Sequence, residues 1–99
     1  MNENDGKHPF LKAASQGKIK TLEDFLEKGI DVNMQDENGW TALMEATWND
    51  QPEAVRFLLN KQADARIRNK DGYTSLMYAS IWGKTEIMDM LKKAWQQQS

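Results

Sequence analysis

The 99-residue chain contains no cysteine, so disulfides and thiolate chemistry are excluded, and redox usage says nothing about compartment. Its single histidine, His8, cannot assemble a multi-histidine metal site or the usual nucleophile–base pair, and it reads as a cap or turn residue. No apolar run approaches the ~18 residues of a membrane span. The start, Met1-Asn2-Glu3-Asn4-Asp5, lacks the basic and apolar regions of a secretory signal. An excess of positive charge is missing too. Lys+Arg number 13 and Asp+Glu 15, and the net charge of −2 argues against general affinity for nucleic acid.

Motifs for chemistry are equally scarce. There is no phosphate-binding glycine motif and no Gly-x-Ser-x-Gly elbow. Asp31, Asn33, Asp36 and Asn38 suggest a calcium loop, but Asp36 stands where its glycine is required and Ala42 where its glutamate should close it. The acidic pairs Glu23-Asp24 and Asp36-Glu37 read as solvated surface rather than paired catalytic carboxylates. The expectation is a non-enzymatic, soluble cytoplasmic protein with no metal, no cofactor, no nucleic-acid partner and no membrane partner.

What the chain does have is an internal echo. Gly39-Trp40-Thr41-Ala42-Leu43-Met44-Glu45-Ala46 returns 33 residues later as Gly72-Tyr73-Thr74-Ser75-Leu76-Met77-Tyr78-Ala79. Residues 36–66 set against 69–99 agree at seven of 31 positions, several times the roughly two expected from ordinary usage. An earlier, more diverged copy begins near Gly6 and matches the second at Gly6, Ala13, Leu26, Lys28 and Asp31. A period of this length predicts one helical unit stacked on itself. Three copies, about 3–35, 36–68 and 69–99, fill residues 1–99 as a single domain.

Each copy reads as a turn, a short helix, a tight connection and a second helix. Thr41 and Thr74 suit N-caps, with His8 in that place in the first copy and Pro9 at the first helical position. Gly17, Asp50 and Gly83 fall where a left-handed C-cap is wanted. Pro52 opens the second helix of the middle copy. Apolar stripes follow: Phe10, Leu11, Ala13 and Ala14; Leu43, Met44 and Ala46; Leu76, Met77 and Ala79. The second helices carry Leu22, Phe25 and Leu26, then Val55, Leu58 and Leu59, then Ile87, Met88 and Leu91. Lys92 and the tail Gln96-Gln97-Gln98-Ser99 read as a polar end that keeps the last copy soluble. Gly29 ends the second helix of the first copy, and Gln62 holds the corresponding place, so Gln62 is predicted at positive φ.

Asp36-x-x-Gly39-x-Thr41-x-Leu43-x-x-Ala46, with Leu58-Leu59 and Ala63-Asp64 downstream, resembles an ankyrin repeat, as does Gly29-Ile30-Asp31-Val32-Asn33. The resemblance covers roughly residues 3–95. It implies an all-α ankyrin-repeat solenoid of L-shaped helix pairs joined by projecting β-turn fingers. The family's Thr-Pro-Leu-His survives only in part, as Thr41-Ala42-Leu43-Met44 and Thr74-Ser75-Leu76-Met77, which removes the histidine's polar link to its threonine.

The resemblance also implies a concave groove lined by the fingers and the exposed side of the first helices. Carried over position by position, Trp40 and Tyr73 fall just before the caps, and Trp48-Asn49 and Ile81-Trp82 at the helix ends. Ser15-Gln16 are their polar counterparts in the first copy. Glu37, Asn38, Arg68, Lys70 and Asp71 stand on the fingers, and Tyr78 borders the groove. The run Arg66-Ile67-Arg68-Asn69-Lys70 is flanked by Asp64 and Asp71, and reads as finger surface rather than a phosphate patch. Tryptophan can serve as core, but separate Leu, Met and Ala positions already supply one. Clustered Trp and Tyr beside an Arg match what interface hot spots favour. Trp95, on the last helix, reads as a terminal core cover. The expectation is a protein partner, bound as adaptor or as an inhibitor or immunity-type neutraliser. Its alternatives are a homodimer through the same patch and, more weakly, nucleic-acid binding.

Overall fold

The structure, a computed structural model, describes residues 8–98. The turn expected around Gly6 and the terminal Ser99 lie outside the described residues. Six helices follow one another: α1 (Pro9–Ser15), α2 (Ile19–Glu27), α3 (Ala42–Trp48), α4 (Pro52–Asn60), α5 (Ser75–Trp82) and α6 (Thr85–Gln97). No strand occurs among the described residues. The shape is a short slab of 37 × 27 × 21 Å.

Local chemistry starts and stops these helices. The Oγ1 atoms of Thr41 and Thr74 accept from the backbone N–H groups of Met44 and Met77 at 3.2 Å, and Nδ1 of His8 accepts from Phe10 N–H at 2.9 Å. Each bond satisfies a donor that the first helical turn would otherwise leave orphaned. Pro9 and Pro52 occupy first positions, where no N–H is needed. At the other end, Gly17, Gly29, Asp50, Gln62 and Gly83 all take positive φ. All five make the paired closing bonds of a Schellman turn, for instance Lys18 N–H to Ala13 carbonyl with Gly17 N–H to Ala14 carbonyl. Gln62 does adopt the left-handed conformation, at φ 73°.

Two or three residues join the helices of each pair, so the second helix must return antiparallel to the first. Helices α1, α3 and α5 pack side by side as an inner row, and α2, α4 and α6 form an outer row. The small residues Ala13, Ala46 and Ala79 are buried at equivalent places along the inner row, where they admit close helix approach. Phe10, Leu11, Leu22, Leu43, Leu58, Ile87 and Leu91 fill the space between rows. Each such side chain contributes about 1.5–3 kcal/mol on burial.

The linking segments are held by side chains repeating at 33 residues. Asp36 Oδ1 accepts from Asn38 and Trp40 N–H, and Asn69 Oδ1 accepts from Asp71 and Tyr73 N–H. Gly39 and Gly72 close these two β-turns with bonds to the carbonyls of Asp36 and Asn69. Asp36 is therefore a turn organiser rather than merely solvated surface. The second and third fingers are tied together by Lys70 N–H on the Asn38 carbonyl and by Gln35 Nε2 on the Arg68 carbonyl. Gly39 sits in that seam at φ 82°, and a Cβ there would lie 2.8 Å from the Lys70 backbone nitrogen.

The polar tail differs from expectation. Gln98 is not simply solvated: its side-chain amide accepts from Ala65 N–H at 2.9 Å and donates to the Ala63 carbonyl at 2.8 Å. It pairs with that backbone as another peptide unit would. Trp95 is half-buried on α6, with the Arg66 guanidinium 5.0 Å from its ring centroid.

Candidate functional site

Five rings converge where the fingers meet the inner helices. Trp40 and Tyr73 precede the caps of α3 and α5, Trp48 and Trp82 end those helices, and Tyr78 projects from the middle of α5. Tyr78 lies between two stacked partners, Trp40 at 5.0 Å and Tyr73 at 5.1 Å between centroids. Trp48 presents edge-to-face contacts to Trp40, Tyr78 and Trp82 at 6.1, 5.3 and 5.2 Å. Such pairs add about 0.5–1.5 kcal/mol each beyond their area, so the rings form a rigid plate.

The rings are not equally available. Tyr78 is buried, and its hydroxyl accepts from Asn69 Nδ2 at 2.8 Å. Expected at the border of the groove, it is instead the pillar beneath it, because Trp40 and Tyr73 cover both its faces. Trp40 is half-buried. The others stay open to solvent: Trp48 is 43 % exposed, Trp82 52 %, Tyr73 39 % and Ile81 60 %. Trp48, Trp82 and Tyr73, joined through one another and Tyr78, form a contiguous patch, the kind of surface that marks an interaction site.

Polar groups frame the plate. Arg68, Lys70 and Asp71 are exposed on the third finger, with the Arg68 guanidinium donating to the Gly72 carbonyl at 2.7 Å. Asn49, also exposed, caps α3 by donating its Nδ2 to the Glu45 carbonyl. Beside Trp40 and Trp48 lies a hollow of about 310 Å³, completed by Asp36, Asn38, Glu45 and Asn49. Sequence reasoning missed the contribution of Asp36 and Glu45 to this wall. The signal for Glu45 was present, since it occupies the repeat position of Tyr78 one copy earlier.

A larger hollow of about 540 Å³ lies between α4 and α6, lined by Arg56, Asn60, Lys93, Gln97 and their neighbours. Its walls are mostly long polar chains without an aromatic anchor, so the aromatic plate is the stronger candidate. Arg56 there already meets Glu86 at 3.4 Å across the two helices. Among the described residues, no group of three or more His, Asp or Glu side chains could hold a metal ion. None of the described helices is long and apolar enough to cross a membrane. Lys20, whose ammonium is held above its ordinary pKa first by Asp24 and then by Glu23, stands on α2, outside the plate.

A stack of helix pairs in 33-residue register, carrying a face of packed aromatic rings, is a helical repeat scaffold. The chain belongs to the ankyrin-repeat family, whose three-copy pattern matches residues 10–98. The crystal structure of the human ASB11 ankyrin repeat domain is similar at a TM-score of 0.80 and 25 % identity, over 89 % of this chain and 40 % of that one. Ankyrin repeat and SAM domain-containing protein 6 of Rattus norvegicus is 44 % identical over 56 residues, which is 56 % of this chain and 6 % of that protein. The NAD-capped RNA hydrolase NUDT12 of Homo sapiens is 41 % identical over 86 residues, 86 % of this chain and 19 % of the hydrolase. The chain thus spans 6 % and 19 % of these two curated relatives, and the hydrolase match covers the repeat region only. Ankyrin repeats generally mediate protein–protein interaction, and their fold is generally non-enzymatic.

Proposed function

We propose that this chain binds a partner protein through the plate of Trp40, Trp48, Tyr73, Ile81 and Trp82, with Tyr78 as its support. The observation that carries the reading is the exposure of Trp48, Tyr73 and Trp82, locked in one ring network, with Ile81 exposed next to Trp82 in the chain. Held rigid before binding, they lose little conformational freedom when a partner covers them. Asn49, Arg68, Lys70 and Asp71 supply the polar rim. Asp36 puts negative charge at one side of the plate and Arg68 and Lys70 positive charge on the adjoining finger, a polarity that sets a partner's register. The units run over about 3–35, 36–68 and 69–99, and the module works in the cytoplasm by occupying a surface, as adaptor or as inhibitor.

Affinity capture from the native cell tests this. Trp48→Ser/Trp82→Gln gives those positions the polar types of Ser15 and Gln16 in the first copy. It is expected to fold, checked by circular dichroism, and to lose the partner held by wild type. A folded variant that retains every partner contradicts the reading.

A further inference from the structure

The hollow beside Trp40 and Trp48 belongs to the middle copy, whose inner helix α3 has α1 packed on one side and α5 on the other. Its two indoles meet at 86° with centroids 6.1 Å apart, so they form a corner rather than a flat wall. The 33-residue register shows why space remains there. In the third copy, Tyr78 stacks on Tyr73 at 5.1 Å. The equivalent pair one copy earlier is Glu45 and Trp40, and Glu45 has no ring to stack. Asn69, uncharged, takes in the third finger the turn-organising place that the Asp36 carboxylate holds in the second. The bonds that the Asp36 carboxylate makes to Asn38 and Trp40 N–H both fall on Oδ1. None of the described lysines or arginines lines the hollow, and the Arg68 guanidinium is turned to the Gly72 carbonyl.

We infer that this corner receives an arginine side chain of the partner protein. The inference rests on the partner reading above and names what fills one end of the plate. Indole rings offer their negative faces to a cation, tryptophan most strongly of the aromatic side chains. Asp36 supplies the countercharge beside them. A guanidinium meets both demands at once. It is planar, so it can lie on an indole as Tyr78 lies on Tyr73, while its N–H edge donates to the carboxylate. Asn38 and Asn49 line the same hollow, and their amide oxygens can accept from its remaining N–H groups. A lysine ammonium is a compact, strongly hydrated point charge and satisfies less of this geometry. A neutral apolar side chain would strip water from Asp36 and return no hydrogen bond. The corresponding corner of the third copy is closed by the buried Tyr78, so one arginine is expected rather than two.

Titrating the full chain with blocked peptides Gly-Ser-X-Ser-Gly, read by NMR at the indole N–H signals, tests it. With arginine at X, the Trp40 and Trp48 signals should move with a dissociation constant of about 1–10 mM while Trp95 stays still. Citrulline keeps the planar shape without the charge and should bind at least about tenfold more weakly. Lysine should fall at least about threefold below arginine. Asp36→Asn is the decisive variant. Asn69 already holds the same kind of turn with an amide, so the melting temperature should hold while arginine binding drops at least about fivefold. Trp82 does not line the hollow, so Trp82→Gln should bind the arginine peptide like wild type. Arginine bound no more tightly than citrulline, lysine bound at least as tightly as arginine, or wild-type arginine binding by Asp36→Asn overturns the inference and leaves the plate reading standing. A folded Trp48→Ser/Trp82→Gln variant that keeps every partner removes the plate reading whatever the peptides do.

Discussion

Replacing Gln62 by glycine should stabilise this protein. The residue holds φ 73° in the turn that ends α4, where the first copy uses Gly29 at φ 100°. A Cβ in the left-handed region crowds the following carbonyl, at about 1–2 kcal/mol. Glycine removes that strain but gives the unfolded chain more freedom, which returns about 0.4–1 kcal/mol. Among the described residues, the Gln62 side chain has no hydrogen bond or ion pair to offset the strain. The net expectation is a gain of about 0.5–1 kcal/mol, or about 2–8 °C in melting temperature for a domain of this size. Asp50 is the matched control. It has φ 57°, but its carboxylate lies 3.2 Å from Lys84 Nζ, and aspartate tolerates this conformation better. That exposed ion pair contributes at most about 1 kcal/mol, enough to cancel the benefit of Asp50→Gly. Thermal and urea unfolding of both variants, with unchanged urea slope, provide the assay. An unchanged or lowered stability of Gln62→Gly refutes the reasoning, as does a larger gain from Asp50→Gly.

Gly39→Ala and Gly72→Ala should differ despite φ values of 82° and 85°: added methyl groups meet the Lys70 backbone at 2.8 Å in the first and nothing within 4 Å in the second. Urea unfolding should show a loss above about 2 kcal/mol for Gly39→Ala against about 1 for Gly72→Ala. Thr47 is buried with its Oγ1 unpartnered among the described residues, so the isosteric Thr47→Val should gain about 1 kcal/mol in the same assay. Asn69→Ala removes the acceptor of two turn N–H groups and the donor to Tyr78, and should loosen the third finger, read as faster hydrogen exchange at Asp71 and Tyr73 with a loss of about 2–3 kcal/mol.

The helices and their ends were legible because the chemistry that sets them is local. A threonine hydroxyl, a proline ring or a glycine after the last turn acts within a few residues, and the 33-residue register carried each reading from copy to copy. Even the strained Gln62 followed from its alignment with Gly29. What the register could not separate was the environment of equivalent residues. Met44 and Met77 are the same residue at the same repeat position and opposite in exposure, since the difference is made by a neighbouring repeat rather than by the residue. Tyr78 likewise looked like groove surface until Trp40 and Tyr73 closed over its two faces. Gln98 belonged to an undistinguished polar tail, and only the arrival of α6 beside Ala63 and Ala65 gives its amide a partner. The aromatic site was therefore legible as a set of residues but not as a layered object with one buried pillar, one half-buried ring and three exposed ones.

Oxidative footprinting of the partner complex tests the central claim most directly, since Trp95 provides an internal control on the last outer helix. Partner binding should slow labelling of Trp48, Trp82 and Tyr73 several-fold and leave Trp95 unchanged. Protection of Trp95 with the other three labelled as in the free protein would contradict the account.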